Sequence, residues 1–254
     1  MNNLGFKRKL ILGTASFKTN YGLNFNSRIQ KDKLKKIFND CLKNEISFLD
    51  TANNYKLNKF SNYVNPNKFK IIFKVNLKVI ENNSFEKIYK KIFKLINNFL
   101  KKNNLKKIYC IMIHSEKLML TDQSFLIYKA LKKIKSKGYA DKIGISGYNL
   151  DLIKKILLKF KFDILQFPYN LFDQRLNKKK NLDFLKKRKI ELHIRSIYLQ
   201  GLFFQKIDRL PKYFSKWKKK LLMLEIFIKE NNLSMLALCL SHANNLKYKN
   251  KRII

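Results

Sequence analysis

The chain has few acidic residues, few cysteines and little proline or glycine. Its three cysteines, Cys41, Cys110 and Cys239, are widely spaced and form no Cys-x-x-Cys pair. Neither a disulfide framework nor a zinc site is therefore expected, and the reducing cytoplasm is the expected location. The three prolines and seven glycines are spread thinly enough to suggest no linker. No apolar run approaches the roughly 20 residues that span a bilayer. We expect one domain over residues 1–254, with no membrane partner.

Lysine dominates the charge: 56 Lys and Arg face 17 Asp and Glu, which gives a formal net charge of +39. Arginine, whose planar fork suits phosphate and base recognition, is scarce. The lysines accompany abundant Asn, Ile, Phe and Tyr, residues with codons rich in A and T, so a biased genome explains them as well as a ligand does. We expect no specific nucleic-acid partner. A polyanion-binding protein remains an alternative, and it predicts lysines clustered on one surface and binding that weakens steeply with salt.

Short apolar runs bounded by polar residues alternate with segments of helical periodicity. Runs of about four to eight apolar residues are typical of buried strands. Strands are predicted at residues 10–13, 47–50, 71–75, 108–113, 143–146, 164–167 and 192–196, with a short one at 252–254. Helices are predicted at residues 32–43, 85–100, 125–137, 150–160, 182–188, 217–231 and 233–243. This alternation predicts an α/β fold with a parallel sheet, either open and doubly wound or closed, and the strand count favours a (β/α)8 TIM barrel.

Polar side chains stand at the carboxyl ends of the predicted strands, where such a barrel forms its active site. They are Asp50, Lys74, His114, Ser146, Gln166 and Arg195, and Tyr55 follows Asp50 shortly afterwards. Each alone is often a turn or helix cap. Together they outline an acid/base site.

Three of these residues suit proton transfer to a carbonyl oxygen. A tyrosine has an ordinary pKa of about 10, too high for efficient acid catalysis near neutrality. A nearby ammonium favours the phenolate, and a carboxylate can fix that ammonium in place. Tyr55, Lys74 and Asp50 supply these parts, and His114 can orient the carbonyl or relay the proton. The set suits reduction of a carbonyl by hydride from a nicotinamide cofactor.

Several segments together resemble a known enzyme family. They are Leu12-Gly13-Thr14-Ala15, Asp50-Thr51-Ala52-Asn53-Asn54-Tyr55, Phe73-Lys74-Val75, Ile113-His114-Ser115, and the segments at 142–146, 163–175 and 195–202. In this order they are similar to the motifs of the aldo-keto reductases. The resemblance implies a catalytic tetrad of Asp50, Tyr55, Lys74 and His114, with Tyr55 as general acid. It also implies a small-molecule carbonyl substrate and the cofactor NADPH, with no metal. The implied cofactor-binding residues are Gly13, Thr14, Asp50, Ser146, Gln166, Arg195 and Ser196.

The sequence departs from the family pattern in the site and at its end. Lys56 follows Tyr55 where glycine is common, Gly147 follows Ser146 where asparagine is frequent, and Arg195 stands where an aromatic often stacks on the nicotinamide. A guanidinium plane can stack as well. Because the sequence stops at residue 254, the last βα unit is expected to be incomplete. Weaker NADPH binding is then expected, with apolar surface exposed on the first and last strands and a partner or self-association covering that edge.

Two other functions remain open on the same barrel. A non-catalytic binding or regulatory module is the main alternative, because fold does not fix function. A metal-dependent hydrolase using His114, His193 and Asp50 is disfavoured, since no His-x-His pair ends the first strand. Leu171, Phe172 and Tyr198 suggest an apolar mouth, and the polar segment 53–68 is suited to overhang the site.

Overall fold

The computed structural model describes residues 3–17, 22–23, 29–77 and 83–254. The strands are β1 (Leu12–Gly13), β2 (Phe48–Ala52), β3 (Lys70–Val75), β4 (Ile108–Ile113), β5 (Ala140–Ser146), β6 (Ile164–Pro168), β7 (Glu191–Arg195) and β8 (Lys251–Ile253). The α-helices are α1 (Asn3–Lys7), α2 (Lys31–Lys43), α3 (Phe85–Asn103), α4 (Ser124–Ser136), α5 (Leu150–Lys159), α6 (Lys179–Lys187), α7 (Lys218–Glu230) and α8 (Met235–Asn245). Short 3-10 helices lie at Phe60–Asn62, Pro66–Lys68, Glu116–Leu120, Arg175–Asn177, Leu199–Phe204, Ile207–Arg209 and Lys212–Trp217.

The strands of the described chain form one parallel sheet of eight, in the order of the sequence. A parallel bridge between Leu10 and Ile253 joins the two edges. Ile11 N donates to Ile253 O at 2.7 Å, and Ile253 N donates to Lys9 O at 2.9 Å. The sheet therefore curls back on itself with helices between its strands, which confirms the predicted (β/α)8 fold.

Helix α3 shows how the apolar pattern fixes a helix against the barrel. Ile88, Ile92 and Ile96 repeat every fourth residue and are fully buried. Side chains four apart lie on one face of an α-helix, so this stripe packs on the strands. Ser84 caps the start by accepting from Lys87 N, and Asn104 ends the helix in the left-handed conformation at φ 50°.

Strand β4 is apolar on both faces. Ile111 and Ile113 pack in the layer between sheet and helices, whereas Cys110 and Met112 lie in a smaller cluster inside the barrel with Phe48. A strand of a parallel barrel is covered on both sides, so its sequence is a continuous apolar run rather than an alternating one. This explains why the run 108–113 was visible in the sequence.

The amino ends of the strands hold a buried carboxylate, Glu191. It accepts from Tyr109 Oη at 2.6 Å, from His193 Nε2 at 2.9 Å and from Arg252 Nε at 2.9 Å, and Lys142 also contacts it. Burial alone would raise the pKa of Glu191, but the bond with His193 and the contacts with Lys142 and Tyr109 hold it well below its usual value. His193 Nε2 is thus bonded to Glu191. Within the described ranges no group of three or more His, Cys, Asp or Glu side chains is arranged to hold a metal ion.

Most strand and helix boundaries differ from the predictions by one to three residues. Strand β7 ends at Arg195 rather than at residue 196, because Ser196 turns into the left-handed region at φ 59°. The segment 53–68 is not simply an overhanging polar loop. It contains two 3-10 helices, and Leu57 and Phe60 are buried.

The exposed apolar surface also lies elsewhere than predicted. Ile11 and Ile253 are buried where β1 and β8 meet. Large exposed apolar side chains occur instead on α7, at Leu222, Met223, Ile226 and Phe227. Lysines are found on each helix from α2 to α7. No helix in the described parts of the chain is both long enough and apolar enough to cross a membrane.

Candidate active site

A buried ion pair between neighbouring strands forms the centre of the site. Asp50 on β2 and Lys74 on β3 both point into the barrel near the carboxyl ends of the strands. Lys74 Nζ donates to Asp50 Oδ2 at 2.6 Å, and each side chain is only 4% exposed. Burial opposes the charge of Lys74, but Asp50 and the Tyr55 hydroxyl outweigh it and raise the pKa of the lysine. Lys74 therefore stays protonated.

Gln166 extends this pair to two further strands. Its Nε2 donates to Asp50 Oδ1 at 2.8 Å, and its Oε1 accepts from Lys74 Nζ at 3.3 Å and from Ser146 Oγ at 3.4 Å. All four residues are buried. Side chains from β2, β3, β5 and β6 are thus locked in one network, which fixes the positions of both charges.

Tyr55 and His114 stand beside Lys74. The Lys74 ammonium lies 5.2 Å from the centroid of the Tyr55 ring, and the Tyr55 and His114 rings meet edge to face at 6.1 Å. Burial, together with the charge of Lys74, lowers the pKa of His114 to about 4. Its imidazole is therefore neutral at pH 7. His114 Nδ1 is buried and has no hydrogen-bond partner among the described residues.

These side chains open into one cavity of about 860 Å³. Its wall includes Gly13, Asp50, Tyr55, Lys74, His114, Ser146, Gln166, Arg195 and Ser196. The volume lies within the range of small-molecule and cofactor sites. The structure thus brings together all the predicted site residues except Thr14.

Thr14 is not part of the cavity wall. It is fully buried, and both its N and its Oγ1 donate to Asp50 O, at 3.0 and 2.9 Å. Thr14 therefore fastens β1 to β2 behind the cavity wall. Next to it, Gly13 approaches Ile254 so closely that an added Cβ would lie 3.0 Å from Ile254 Cγ2.

Comparison with known proteins places this arrangement in a family. The profile of the aldo/keto reductase family matches residues 9–251. The chain belongs to the aldo/keto reductase family. Comparison with curated protein sequences gave no match.

Solved aldo-keto reductase structures share the fold. Glycerol dehydrogenase from Gluconobacter oxydans superposes with a TM-score of 0.70 at 18% identity, over 96% of this chain and 81% of that one. An aldo-keto reductase from Bacillus halodurans, solved in its holo form, gives a TM-score of 0.61 at 18% identity, over 80% and 66%. An aldo/keto reductase from Brucella melitensis gives 0.60 at 15% identity, over 97% and 83%. At these identities the likeness supports the barrel alone.

Arg195 of this reductase lies in the cavity wall, where it contacts an aromatic ring and two hydrogen-bond acceptors. Its guanidinium lies 4.0 Å from the centroid of the Tyr148 ring and donates to Gly147 O at 3.1 Å and to Ser196 Oγ at 3.2 Å. A Cβ at Gly147 would lie 2.7 Å from Ile153 Cδ1, so the asparagine that is frequent there in the family would not fit without a shift.

The apolar mouth of the reductase is only partly as predicted. Tyr198 lines the cavity, but Leu171 and Phe172 pack away from it, in a cluster where Phe172 stacks on Trp217 at 5.9 Å. The sequence alone does not distinguish Tyr198 from Leu171 and Phe172, because it does not show where the side chains of a long loop point.

Several residues of the cavity wall were missed. Tyr148 follows β5 and could have been predicted, because residues at the carboxyl ends of the strands line the site. Ile254 reaches the site only because the barrel closes. Gln200 lies in a turn where Leu199, Gln200 and Gly201 all have positive φ, and its carbonyl accepts from Leu23 N at 3.1 Å. Such backbone contacts leave no signal in the sequence.

Proposed function

We propose that this reductase converts an aldehyde or ketone into an alcohol, with NADPH as hydride donor and Tyr55 as general acid. The observation that carries the proposal is the Asp50–Lys74 pair buried beside Tyr55 and His114 in one cavity. We propose that it does so as a single barrel domain over residues 1–254.

His114 suits the binding of the carbonyl oxygen. A neutral imidazole has one N–H donor and one acceptor nitrogen, and His114 with a pKa of about 4 is neutral at pH 7. It can donate a hydrogen bond to the oxygen without giving up a proton readily. The proton then comes from Tyr55, whose ring faces both His114 and the Lys74 ammonium.

Lys74 supports the loss of that proton. As the phenol oxygen becomes negative, the neighbouring ammonium stabilises the developing charge at no cost in reorganisation, because Asp50 already fixes its position. The carbonyl oxygen gains the Tyr55 proton while its carbon gains the hydride, and Tyr55 regains a proton from water. The products are an alcohol and the oxidised cofactor.

The residues around the cavity suit a nicotinamide nucleotide. When bound, it supplies the hydride. Ser146 and Gln166 offer a hydroxyl and an amide for a carboxamide group, and Gly13 leaves backbone accessible. Arg195 and Ser196 lie on the same wall and suit the ring and pyrophosphate. Thr14 would act only through its hold on Asp50.

The experiment is to compare Tyr55→Phe with the wild-type chain and with Tyr89→Phe. Both variants lose one hydroxyl, but Tyr89 lies on α3 in an aromatic stack outside the cavity. NADPH binding is followed by fluorescence titration, and turnover is followed with a panel of aldehydes, ketones and sugars. We expect Tyr55→Phe to lose at least about a hundredfold in kcat, the usual scale of acid catalysis, while it still binds NADPH.

Three results would count against the proposal. Unchanged turnover in Tyr55→Phe would remove Tyr55 from the chemistry. Saturable NADPH binding without turnover of any carbonyl by the wild-type chain would favour the non-catalytic module. Binding no tighter than that of ATP, and lost in salt, would point to the lysines alone as the cause.

A further inference from the structure

Arg195 is a charged side chain of the cavity wall that has no acidic partner in the described part of the chain. Asp50 and Lys74 neutralise each other at 2.6 Å, and His114 is neutral near pH 7. Arg195 donates only to a carbonyl and a hydroxyl, and no ion pair to it is found within the parts of the chain that the structure describes. The cavity wall thus includes a positive charge without an acidic side chain beside it, on a guanidinium that lies against the Tyr148 ring.

Arg195 lines the same cavity as Tyr55 and His114. After burial and the charge of Lys74, the positive charge of Arg195 also acts to lower the pKa of His114. A carbonyl held by Tyr55 and His114 receives hydride only from a ring about 3–3.5 Å away. Whatever its orientation, that ring lies in the region where Arg195 already acts electrostatically.

The two redox forms of a nicotinamide nucleotide differ in the charge of this ring. The reduced dihydropyridine is neutral, and loss of hydride turns it into a pyridinium cation, while the phosphates and sugars stay the same. A fixed positive charge nearby therefore penalises the oxidised form alone. We propose that Arg195 makes this site selective for the redox state of the cofactor, so that it holds the reduced form more tightly than the oxidised form. This inference rests on the proposed function.

The expected size of the effect follows from Coulomb's law. For two unit charges about 10 Å apart at an effective dielectric constant of about 20, the repulsion corresponds to roughly a tenfold change in affinity. Salt weakens a repulsion over this distance, since the Debye length is about 8–10 Å at 0.1–0.15 M ionic strength. During turnover, NADP⁺ would therefore leave the site faster and inhibit the enzyme less.

The test is a comparison of dissociation constants, measured without any carbonyl substrate. NADPH and NADP⁺ are titrated by calorimetry against the full chain and against Arg195→Gln, Arg195→Lys and Arg188→Gln. Arg188 is the matched control, because it also stacks on an aromatic ring, Phe184, at 4.2 Å and donates to a backbone carbonyl, but it lies outside the cavity. Both glutamine variants lose the same single charge.

We expect the wild-type chain to bind NADPH more tightly than NADP⁺. Arg195→Gln should reduce this preference by roughly tenfold, whereas Arg195→Lys, which keeps the charge, and Arg188→Gln should retain it. An unchanged ratio in Arg195→Gln overturns the inference. An equal loss for both forms also overturns it, because Arg195 then serves the shared phosphates. If the wild-type chain binds neither form, the proposed function itself fails and this inference falls with it.

Discussion

Replacing Lys74 with methionine would separate the structural role of the buried pair from its chemical role. Lys74→Met leaves Asp50 with Gln166 Nε2 as a partner at 2.8 Å but without a counter-ion, in a place where its side chain is 4% exposed. Removing one partner of a buried ion pair costs about 3–5 kcal/mol, because the remaining charge stays desolvated. At about 2–4 °C per kcal/mol for a domain of this size, the melting temperature should fall by about 10 °C.

The double variant Asp50→Asn with Lys74→Met supplies the control. It removes both charges, so most of the lost stability should return, since well-packed neutral groups often replace a buried pair at little cost. Turnover should stay absent in both variants, because neither holds an ammonium beside Tyr55. Thermal melts followed by circular dichroism, together with carbonyl reduction assays, measure the two effects. A single variant as stable as the wild-type chain, or a double variant no more stable than the single one, would refute this account of the pair.

Two further predictions concern pH and stability. The pKa of Glu191 is held below its unfolded value, so its contribution to stability is present above about pH 4.5 and is lost as the pH falls further. Glu191→Gln should therefore reduce the loss of unfolding free energy below about pH 4.5, measured by urea titrations. An unchanged loss would contradict the prediction. The pKa of His114 is about 4 against about 6.5 unfolded, so protonation of the unfolded chain should lower stability by up to about 3 kcal/mol between pH 6.5 and 4. His114→Asn should remove that part of the slope, and a slope that persists would show that other groups cause it.

Local sequence patterns were sufficient for the barrel and for the centre of the site. The apolar runs that end near Asp50, Lys74 and Gln166 are strands covered on both sides, and the carboxyl ends of parallel strands meet at one edge. Three polar residues far apart in sequence were therefore expected together, and the structure joins them by hydrogen bonds. Helix α3 was equally visible, because its apolar residues repeat at helical spacing.

The remaining features depend on contacts that no local pattern encodes. Thr14 was expected against the cofactor, but its side chain instead bonds to the backbone of the neighbouring strand. The stacking of Arg195 on Tyr148 depends on how the end of β7 lies relative to the loop that follows β5. Two partners of Glu191, Tyr109 and Lys142, lie on β4 and β5, which do not neighbour β7 in the sheet and reach it only because the sheet curls. Ile254 likewise meets Gly13 only through closure of the sheet.

The close approach of Gly13 and Ile254 gives one position two duties. Gly13 borders the cavity, and the space left by its missing side chain admits the residue that follows β8. A larger residue there would press on Ile254 beside the bridge between Leu10 and Ile253, which joins the two edges of the sheet. A loss of ligand affinity after such a change would thus not show that Gly13 touches the ligand. A substitution at Gly13 therefore affects both the cavity and the joint between β1 and β8, so ligand affinity and barrel stability have to be measured together.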